Sequence, residues 1–414
     1  MTPFASRRPS PATTTGPAIL RSILVTLLAA TILLATASTA RADEGLRLHI
    51  AESIAPGVQY QPFTADTPDG SYQGHLIRAD LWHPLVSAGL LYPGSVAATA
   101  PVSALADGKR AVAAINGDFF NIGQTGAPVG PAIVDGKALK AAVPDRQRHG
   151  PDMPPGYTND DGFGITWDGR GVLTDLRISG KAVGATGSFE LDALNQYAIT
   201  VDGIGVFDHH WGPVSRDRAV CGTDTNRNGP CSENVTEVHV TNGRVSQVSD
   251  APGSGQIARD TVVLLGRDAG ATRLSELSEG DRLRVHYGLN EERGAWLRTA
   301  IGGFPIVADG HRLTGVDAAA LAPRSAVGAV PGGRVLYLVA IEGRGAAGAG
   351  VSLASLADIM IQLGSRIAVN LDGGGSTTLV TRSPGDSNAT VRNTLSGGAE
   401  RLVPNALGIY GLQW

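Results

Sequence analysis

A glycine-rich loop near the C-terminus carries the most distinctive pattern of chemical groups in the sequence. It consists of the consecutive residues Asp372, Gly373, Gly374, Gly375, Ser376 and Thr377. Three adjacent glycines are costly in backbone entropy, and chains keep them where positive φ is needed or where a ligand must approach main-chain N–H groups. Successive N–H groups suit an anion, and the Gly-Lys-Ser/Thr ending of a nucleotide-binding P-loop is absent. The loop predicts an anion site, and a tight hairpin without function is the alternative.

A second group of polar residues follows an apolar run from Arg110 to Ile115, which predicts a strand. That run ends in Asn116, Gly117 and Asp118, with two phenylalanines directly behind them. Amide and carboxylate groups beside flat aromatic faces are the combination that sugar rings prefer. The segment therefore predicts a sugar contact, and an ordinary strand end with core phenylalanines is the alternative.

Two arginines and a carboxylate flank a pair of apolar runs in the last third of the chain. Arg324 stands at the entry to these runs, and Glu342 and Arg344 stand at their exit. The planar guanidinium fork fits a phosphate with two hydrogen bonds. We expect these groups to gather at one end of a sheet, although surface ion pairs are the alternative for each arginine.

The elements that must position these groups are short strands and few helices. Apolar runs at 323–329 and 334–341 flank a Pro-Gly-Gly turn and predict a hairpin. Leucines and a methionine then recur at spacings of three, four and three, which predicts a helix from Ser352 to Gly364. The pattern indicates an α+β fold in which a mainly antiparallel or mixed sheet packs on few helices. Residues 43–110 are predicted to be strand-rich, and residues 161–290 are predicted to form a β-rich insertion with an antiparallel meander.

Composition and the N-terminus bear on where the protein works. The net charge of −4 provides no basic field for nucleic acid. Arginines precede an apolar run of about 12 residues, too short to span a bilayer, and an Ala-Arg-Ala site follows it. Residues 1–42 are therefore predicted to be a secretory signal peptide, with a membrane anchor as the alternative. A secreted, extracellular protein without stable membrane insertion is the expectation.

One short loop holds both cysteines and a calcium-like pattern. Cys221 and Cys231 are predicted to form a disulfide in an exported protein, with two free thiols as the alternative. Asp224, Asn226 and Asn228 match the first half of a calcium loop, although the expected glutamate at its last position is replaced by valine. A structural calcium ion is one interpretation, and a disulfide-closed surface turn is the other. No cofactor is otherwise expected to be required.

The ordered motifs together resemble the phosphodiester glycosidase family. The motifs that carry the resemblance are Asn116 to Phe120, Ile301 to Gly303 with Asp309-Gly310, Pro323 to Gly328, Glu342 to Arg344, Asn370 to Thr378, and Pro404 to Gly408. The sequence departs from the family pattern at Asp118, Ser325 and Glu342. The resemblance places the domain at 111–414, interrupted by the insertion.

The resemblance implies a secreted bacterial hydrolase that cleaves the anomeric C–O bond of a sugar 1-phosphodiester, with a phosphorylated glycan as its partner. Asp372 would act as base or nucleophile, and Glu342 and Asp118 would be further catalytic groups. The substrate would be bound by Asn116, Arg324, Arg344, Asn405 and the loop residues Gly373, Gly374, Gly375, Ser376 and Thr377. The alternatives are a non-catalytic carbohydrate-binding or cell-envelope module and a metal-dependent phosphodiesterase.

Overall fold

Short strands joined by turns make up most of the described chain, as the sequence predicts. The computed structural model describes residues 45–185, 187–343 and 349–412. The predicted signal peptide and Arg344 lie outside these ranges. Among the described residues, no helix combines the length and the apolar character needed to cross a bilayer.

The strands and helices are numbered in chain order. The first strands are β1 (Leu46–Leu48), β2 (Glu52–Ala55), β3 (Val58–Thr67), β4 (Gly70–Asp80), β5 (Ser87–Leu91), β6 (Ala113–Asn116), β7 (Ala132–Val134), β8 (Lys137–Lys140), β9 (Asp161–Thr166), β10 (Gly171–Gly184), β11 (Gly187–Glu190), β12 (Ala193–Leu194) and β13 (Ile204–Phe207). The later strands are β14 (Val235–Thr241), β15 (Arg244–Ser249), β16 (Thr261–Arg267), β17 (Leu283–Glu291), β18 (Leu297–Gly302), β19 (Phe304–Ala308), β20 (His311–Arg312), β21 (Arg324–Ala329), β22 (Val335–Ile341), β23 (Ile367–Asn370), β24 (Leu379–Thr381), β25 (Thr390–Val391) and β26 (Ala406–Tyr410). The α-helices are α1 (Val102–Lys109), α2 (Ala269–Leu274) and α3 (Leu353–Gln362).

The largest sheet has the strand order β1-β3-β4-β22-β21-β23-β19-β20, with β2 joined to β3. Its centre is the predicted hairpin, in which β21 pairs antiparallel with β22 and Ala329 faces Leu336. Helix α3 packs on β19, β21 and β23 of this sheet. The Ser352 side chain caps that helix by accepting the Ser355 amide at 3.2 Å, and Gly364 beyond its end has a φ of 96°. The predicted hairpin and helix are both confirmed.

A smaller sheet, β25-β24-β6-β26-β5, packs against the large one through a shared apolar core. Ile115 and Leu407 of the small sheet belong to the same buried cluster as Val327 and Leu338 of the large sheet. Burial of such apolar surface is the main favourable term in folding. Because β6 ends at Asn116 and β23 ends at Asn370, the packing brings two polar strand ends together.

The predicted insertion contributes to two further sheets. Their orders are β11-β10-β9-β18-β7-β8, with β17 on β10, and β12-β13-β16-β14-β15. Apart from the parallel pair β12 and β13, the pairings among the described strands are antiparallel. The meander prediction missed helix α2, whose six residues are too few to show a helical stripe. These sheets and few helices confirm the predicted strand-rich α+β class.

Candidate active site

The glycine loop connects the ends of the two packed sheets. The Asp372 amide donates to the Gly117 carbonyl at 2.8 Å, and the Gly374 amide donates to the Pro323 carbonyl at 2.8 Å. Gly374 has a φ of 61°, the left-handed region that glycine adopts without strain. The predicted need for glycine is therefore confirmed at this position. Since a carbonyl already occupies the Gly374 N–H, the anion site predicted for the three amides would lack this donor.

The carboxyl group of Asp372 is held at the start of this loop. The Ser376 hydroxyl donates to its Oδ2 at 2.6 Å, and Arg401 Nη1 donates to the same hydroxyl at 3.2 Å. A methyl group on Gly375 would lie 2.3 Å from Arg401 Nη2, so glycine makes room for that guanidinium. Burial raises the pKa of Asp372 to about 6, with Ser376 and Arg401 opposing the rise and Asp118 adding to it. A carboxyl that titrates near neutral pH suits acid–base catalysis.

Asp118 is a second carboxyl group and is almost fully buried. Its Oδ2 accepts the Gly130 amide at 2.6 Å, while its backbone amide donates to Asn405 Oδ1 at 2.9 Å. Its Oδ1 is buried without a hydrogen-bond partner among the described residues. Burial raises the pKa of Asp118, and the charges of Arg148 and Lys140 oppose that rise. Lys140, also buried, donates to the Gly130 carbonyl at 2.6 Å, and burial lowers its pKa to about 7.

Arg148 brings a buried guanidinium to this side of the site. Its Nε donates to the Pro151 carbonyl at 2.7 Å, its Nη1 donates to Asn159 Oδ1 at 3.0 Å, and its Cζ lies 4.9 Å from the centre of the Phe119 ring. Its Nη2 is buried without a hydrogen-bond partner in the described part of the chain. A buried unmade hydrogen bond is costly, so a group kept in that state is a candidate for ligand binding.

The charges of Asp118, Asp372 and Arg148 act on one another. Burial lowers the pKa of Arg148, and the negative charges of Asp118 and Asp372 both oppose that change. Asp118 in turn raises the pKa of Asp372. The site therefore combines two carboxyl groups with the guanidiniums of Arg148 and Arg401. Sequence reasoning missed both of these arginines because neither lies in one of the recognised motifs.

Asn116 and Asn405 anchor the loops that carry the two carboxyl groups. Asn116 is buried, its Nδ2 donates to the Asp372 carbonyl at 2.6 Å, and its Oδ1 accepts the Ser325 hydroxyl at 2.6 Å. The Asn405 carbonyl accepts the Gly117 amide at 2.9 Å. These contacts position the loops, whereas the substrate contacts expected of both asparagines stay predictions.

Unpartnered polar atoms are concentrated within the glycine loop and in the residues that flank it in sequence. Thr377 Oγ1, Thr378 Oγ1 and both side-chain amide atoms of Asn370 are buried without hydrogen-bond partners among the described residues. Buried polar groups are normally satisfied, so such a concentration requires an explanation. A polar ligand or ordered water at the loop would supply the missing partners.

Glu342 lies beside a different loop. Its Oε1 is 2.9 Å from His75 Nε2 and accepts the Thr394 amide at 2.7 Å. The hydrogen bond with His75 is the largest cause that lowers the pKa of Glu342 to about 2, and burial opposes it. This carboxylate stays ionised at neutral pH and is suited to holding the Thr394 loop. Its catalytic role stays a prediction.

Arg324, predicted to bind phosphate, is directed at backbone carbonyls. Its Nε donates to the Val351 carbonyl at 3.0 Å, and its Nη2 donates to the Ala320 carbonyl. Burial lowers the pKa of its guanidinium, and the charges of Asp317 and Asp69 oppose that change. Its role in phosphate binding, like that of Arg344 outside the described residues, stays a prediction.

The cysteine loop is closed by the predicted disulfide. Cys221 and Cys231 are bonded, which confirms that prediction. In the calcium-like segment between them, Asp224 Oδ1 accepts an amide hydrogen bond at 2.9 Å, and Asn226 Oδ1 accepts the Asn228 amide at 3.0 Å. The Asp224 oxygen thus ties the loop to Val201, the Asn226 oxygen serves the local turn, and calcium binding stays a prediction.

One histidine cluster bears on the metal-dependent alternative. Asp208, His209 and His210 offer ligand atoms within 4.8 Å of one another. The Asp208 carboxylate already accepts Asn195 Nδ2 at 2.8 Å and the Tyr287 hydroxyl at 3.2 Å. The cluster lies at the end of β13 in the insertion, and Asp208 is committed to fixing that turn.

Two solved structures share the fold. One is a hypothetical protein from Synechocystis, with a TM-score of 0.68 and 23% identity over 86% of this chain and 62% of that chain. The other is the "putative exported protein" from Burkholderia pseudomallei, with a TM-score of 0.67 and 18% identity over 89% of this chain and 97% of that chain. This chain therefore spans less than two thirds of the Synechocystis protein. At these identities the likeness shows the fold alone.

A third solved structure is the zebrafish N-acetylglucosamine-1-phosphodiester alpha-N-acetylglucosaminidase catalytic domain, auto-inhibited by its pro-peptide. It reaches a TM-score of 0.43 and 15% identity over 89% of this chain and 88% of that chain. No protein with a curated description matches the sequence significantly. Residues 234–410 match the model of the family described as phosphodiester glycosidase. Over this segment, which is less than half of the chain, the sequence is similar to the phosphodiester glycosidase family, and the match confirms the resemblance predicted from the motifs.

Proposed function

We propose that this protein is an exported glycosidase that hydrolyses the anomeric C–O bond of a sugar 1-phosphodiester. The observation that carries the proposal is the convergence of two carboxyl groups at the glycine loop: the Asp372 amide donates to the carbonyl of Gly117, the neighbour of Asp118, and Ser376 links the Asp372 carboxyl group to Arg401. The loop lies in the segment that matches the phosphodiester glycosidase family. Two carboxyl groups with shifted pKa values beside cationic groups form a site suited to splitting a bond to an anionic leaving group.

The chemistry of the substrate explains this composition. A phosphate monoester is a good leaving group, so its departure needs little proton donation. The barrier then falls mainly through stabilisation of charge on the phosphate and on an oxocarbenium-like sugar. In this scheme Arg401, with the predicted Arg324 and Arg344, neutralises the phosphate. The positive charge of Arg148 favours the ionised form of Asp118 and so opposes the effect of burial on that carboxyl group.

Asp372 has the central role in the scheme. With a pKa of about 6 it is mostly ionised at neutral pH, so it can take a proton from water or attack the anomeric carbon itself. The Ser376 hydroxyl fixes one of its oxygens and leaves the other for the reaction. Asn116 and Asn405 act as positioning residues.

The first experiment combines turnover with bond analysis. The protein is incubated with activated sugar 1-phosphodiesters in oxygen-18-labelled water. Mass spectrometry then determines which product contains the label. Cleavage of the C–O bond puts the label in the sugar, whereas cleavage of the P–O bond puts it in the phosphate. Label in the phosphate would overturn the proposal in favour of a phosphodiesterase. Glycan binding without turnover would support the non-catalytic module.

The second experiment removes the charge of the proposed catalytic group. Asp372→Asn should lower kcat by at least about a thousandfold, since positioned acid–base groups contribute roughly 10²–10⁴-fold and nucleophiles more. Melting temperature should not fall, because the folded state already disfavours the Asp372 anion. Asp386→Asn, at an exposed aspartate in a nearby surface loop, is the matched control. Retained turnover in Asp372→Asn would remove Asp372 from the mechanism.

Export is a separate part of the proposal. A disulfide between Cys221 and Cys231 is the kind of bond that persists in oxidising compartments. If the signal peptide is cut after the Ala-Arg-Ala site, N-terminal sequencing of protein collected outside the cell should begin at Asp43. An intact N-terminus on protein that stays in the cell would contradict export.

A further inference from the structure

Three tryptophans are exposed on the surface, whereas Trp211 is fully buried. Trp82 is 70% exposed, Trp167 is 44% exposed and Trp296 is 77% exposed. Large aromatic side chains normally bury most of their area, and exposed clusters of them mark binding surfaces. Their exposure makes this surface a candidate binding site.

These tryptophans form one continuous surface. The rings of Trp167 and Trp296 lie 5.6 Å apart between centres, and the Trp167 amide donates to the Trp296 carbonyl at 3.1 Å. The guanidinium of Arg334 lies 4.4 Å from the centre of the Trp82 ring, and its Nη2 donates to Asp168 Oδ2 at 3.2 Å. We call these five residues the tryptophan face.

The tryptophan face lies at the opposite end of the strands that lead to the active site. Trp167 directly follows β9 and Trp296 directly precedes β18. The other end of both strands is at the site, where a Cβ on Gly302 would lie 2.5 Å from Asp118 Oδ2. Five strand residues at ~3.3 Å each separate the two ends by roughly 17 Å. The face is thus a second surface and not a wall of the active site.

The chemistry of the face identifies the partner. A purely apolar protein partner would not need charged groups between the rings, whereas a sugar ring presents apolar C–H faces to indoles and hydroxyls to polar neighbours. Asp168 and Arg334 lie between the rings, and Arg170 forms a further ion pair with Asp168 at 2.8 Å. Two guanidiniums and one carboxylate leave an excess of positive charge, which complements phosphate groups.

We propose that the tryptophan face binds a phosphate-bearing glycan chain and anchors the protein on its polymeric substrate. The choice of phosphate-bearing glycan rests on the proposed function, while the existence of a binding surface rests on the exposed tryptophans alone. Indoles stack on the sugar rings, and Arg170 and Arg334 pair with phosphates along the chain. Binding there raises the local concentration of substrate linkages at the active site.

The test is affinity electrophoresis through gels that contain a polymer of hexoses joined by 1-phosphodiesters, or a neutral polymer of the same hexose. Asp372→Asn serves as the background, so that the polymer is not consumed. We expect retardation in the phosphorylated gel and at least tenfold weaker binding after Trp167→Ala with Trp296→Ala. Ile50→Ala, at an apolar side chain that is 91% exposed elsewhere, is the matched control and should bind normally.

Each outcome distinguishes this inference from the proposed function. With Asp372 intact, the tryptophan variants should hydrolyse a small soluble sugar 1-phosphodiester within about twofold of the parent protein, because they lie outside the active site. Unchanged retardation of the double variant would overturn the inference and leave the glycosidase proposal intact. Equal retardation by the neutral polymer would overturn the preference for phosphate. Self-association that requires the tryptophans, without glycan binding, would also overturn the inference.

Discussion

The sheet β12-β13-β16-β14-β15, within the predicted insertion, and the candidate active site both bury charged side chains, but the contacts of those side chains differ. In the sheet, Arg216 and Glu237 are both buried and meet directly, with bonds of 2.8 and 2.6 Å. Around the glycine loop, Asp118 and Arg148 are buried without a direct ion pair within 4.0 Å among the described residues. One region joins its opposite charges, and the other keeps them apart.

This difference distinguishes buried charges that stabilise the fold from buried charges that are available for function. A buried pair that loses one partner leaves an uncompensated charge and destabilises the fold. Buried charges that are not directly paired contribute less to stability and are available to a ligand. Substitutions should therefore act on unfolding in the insertion and on turnover at the site.

The largest expected effect is on stability in the insertion. Glu237→Gln should lower the free energy of unfolding by about 3–5 kcal/mol, because it leaves the buried Arg216 charge without its partner. Denaturant titration measures that change, and turnover at a temperature where the variant is folded should be unchanged. Glu233→Gln, at an exposed glutamate on the approach to β14, is the matched control. A loss of activity in folded Glu237→Gln would break the comparison.

The same pair predicts how stability depends on pH. Burial would raise the pKa of Glu237, but hydrogen bonds from Arg216 and His239 outweigh it and lower the pKa to about 2. Because the folded pKa lies below the unfolded value near 4.5, the stabilisation is complete above that pH and is lost as pH falls toward 2. Glu237→Gln should remove this part of the acid dependence.

The next effect is on turnover at the site. Arg148→Met should lower kcat by about 10²–10³-fold, the usual range for loss of one electrostatic group in a preorganised site. Its unfolding free energy should change by only about 1 kcal/mol, because the lost hydrogen bonds are offset by removal of a desolvated charge. Arg146→Met, at an arginine whose side chain is 61% exposed, is the matched control. A destabilisation as large as that of Glu237→Gln would show that Arg148 serves the fold instead.

Local signals explain what could be predicted from the sequence. The helix is marked by its cap at Ser352, and the hairpin of β21 and β22 is marked by its Pro-Gly-Gly turn. The disulfide joins two cysteines of one short loop. Each of these predictions therefore needed only residues that are close in sequence. Arg148 and Arg401 reach the site through tertiary packing, which leaves no pattern in their own segments. The hydrogen bond that occupies the Gly374 amide could not be foreseen either. Its acceptor is the carbonyl of Pro323, which lies 51 residues earlier in the sequence (374 − 323).

A smaller effect is expected from the disulfide of the insertion. Replacing Cys221 and Cys231 together by serine should lower the unfolding free energy by about 2–3 kcal/mol, because the closed loop is short. Melting curves of the parent protein with and without reductant provide the comparison, and the serine variant should not respond to reductant. Full stability in the variant would show that the other contacts of this loop suffice.

The smallest effect concerns one hydrogen bond at the site, and it tests the protonation of Asp372 directly. If ionised Asp372 is the reactive form, kcat/KM should be level above pH 6 and fall about tenfold per pH unit below it. The Ser376 hydroxyl stabilises the anion, so Ser376→Ala should move this limb to higher pH while changing the plateau only a few-fold. Ser387→Ala, at an exposed serine, should leave the limb in place. A limb that moves to lower pH would contradict a role for the Asp372 anion, because loss of that hydrogen bond can only favour the protonated acid.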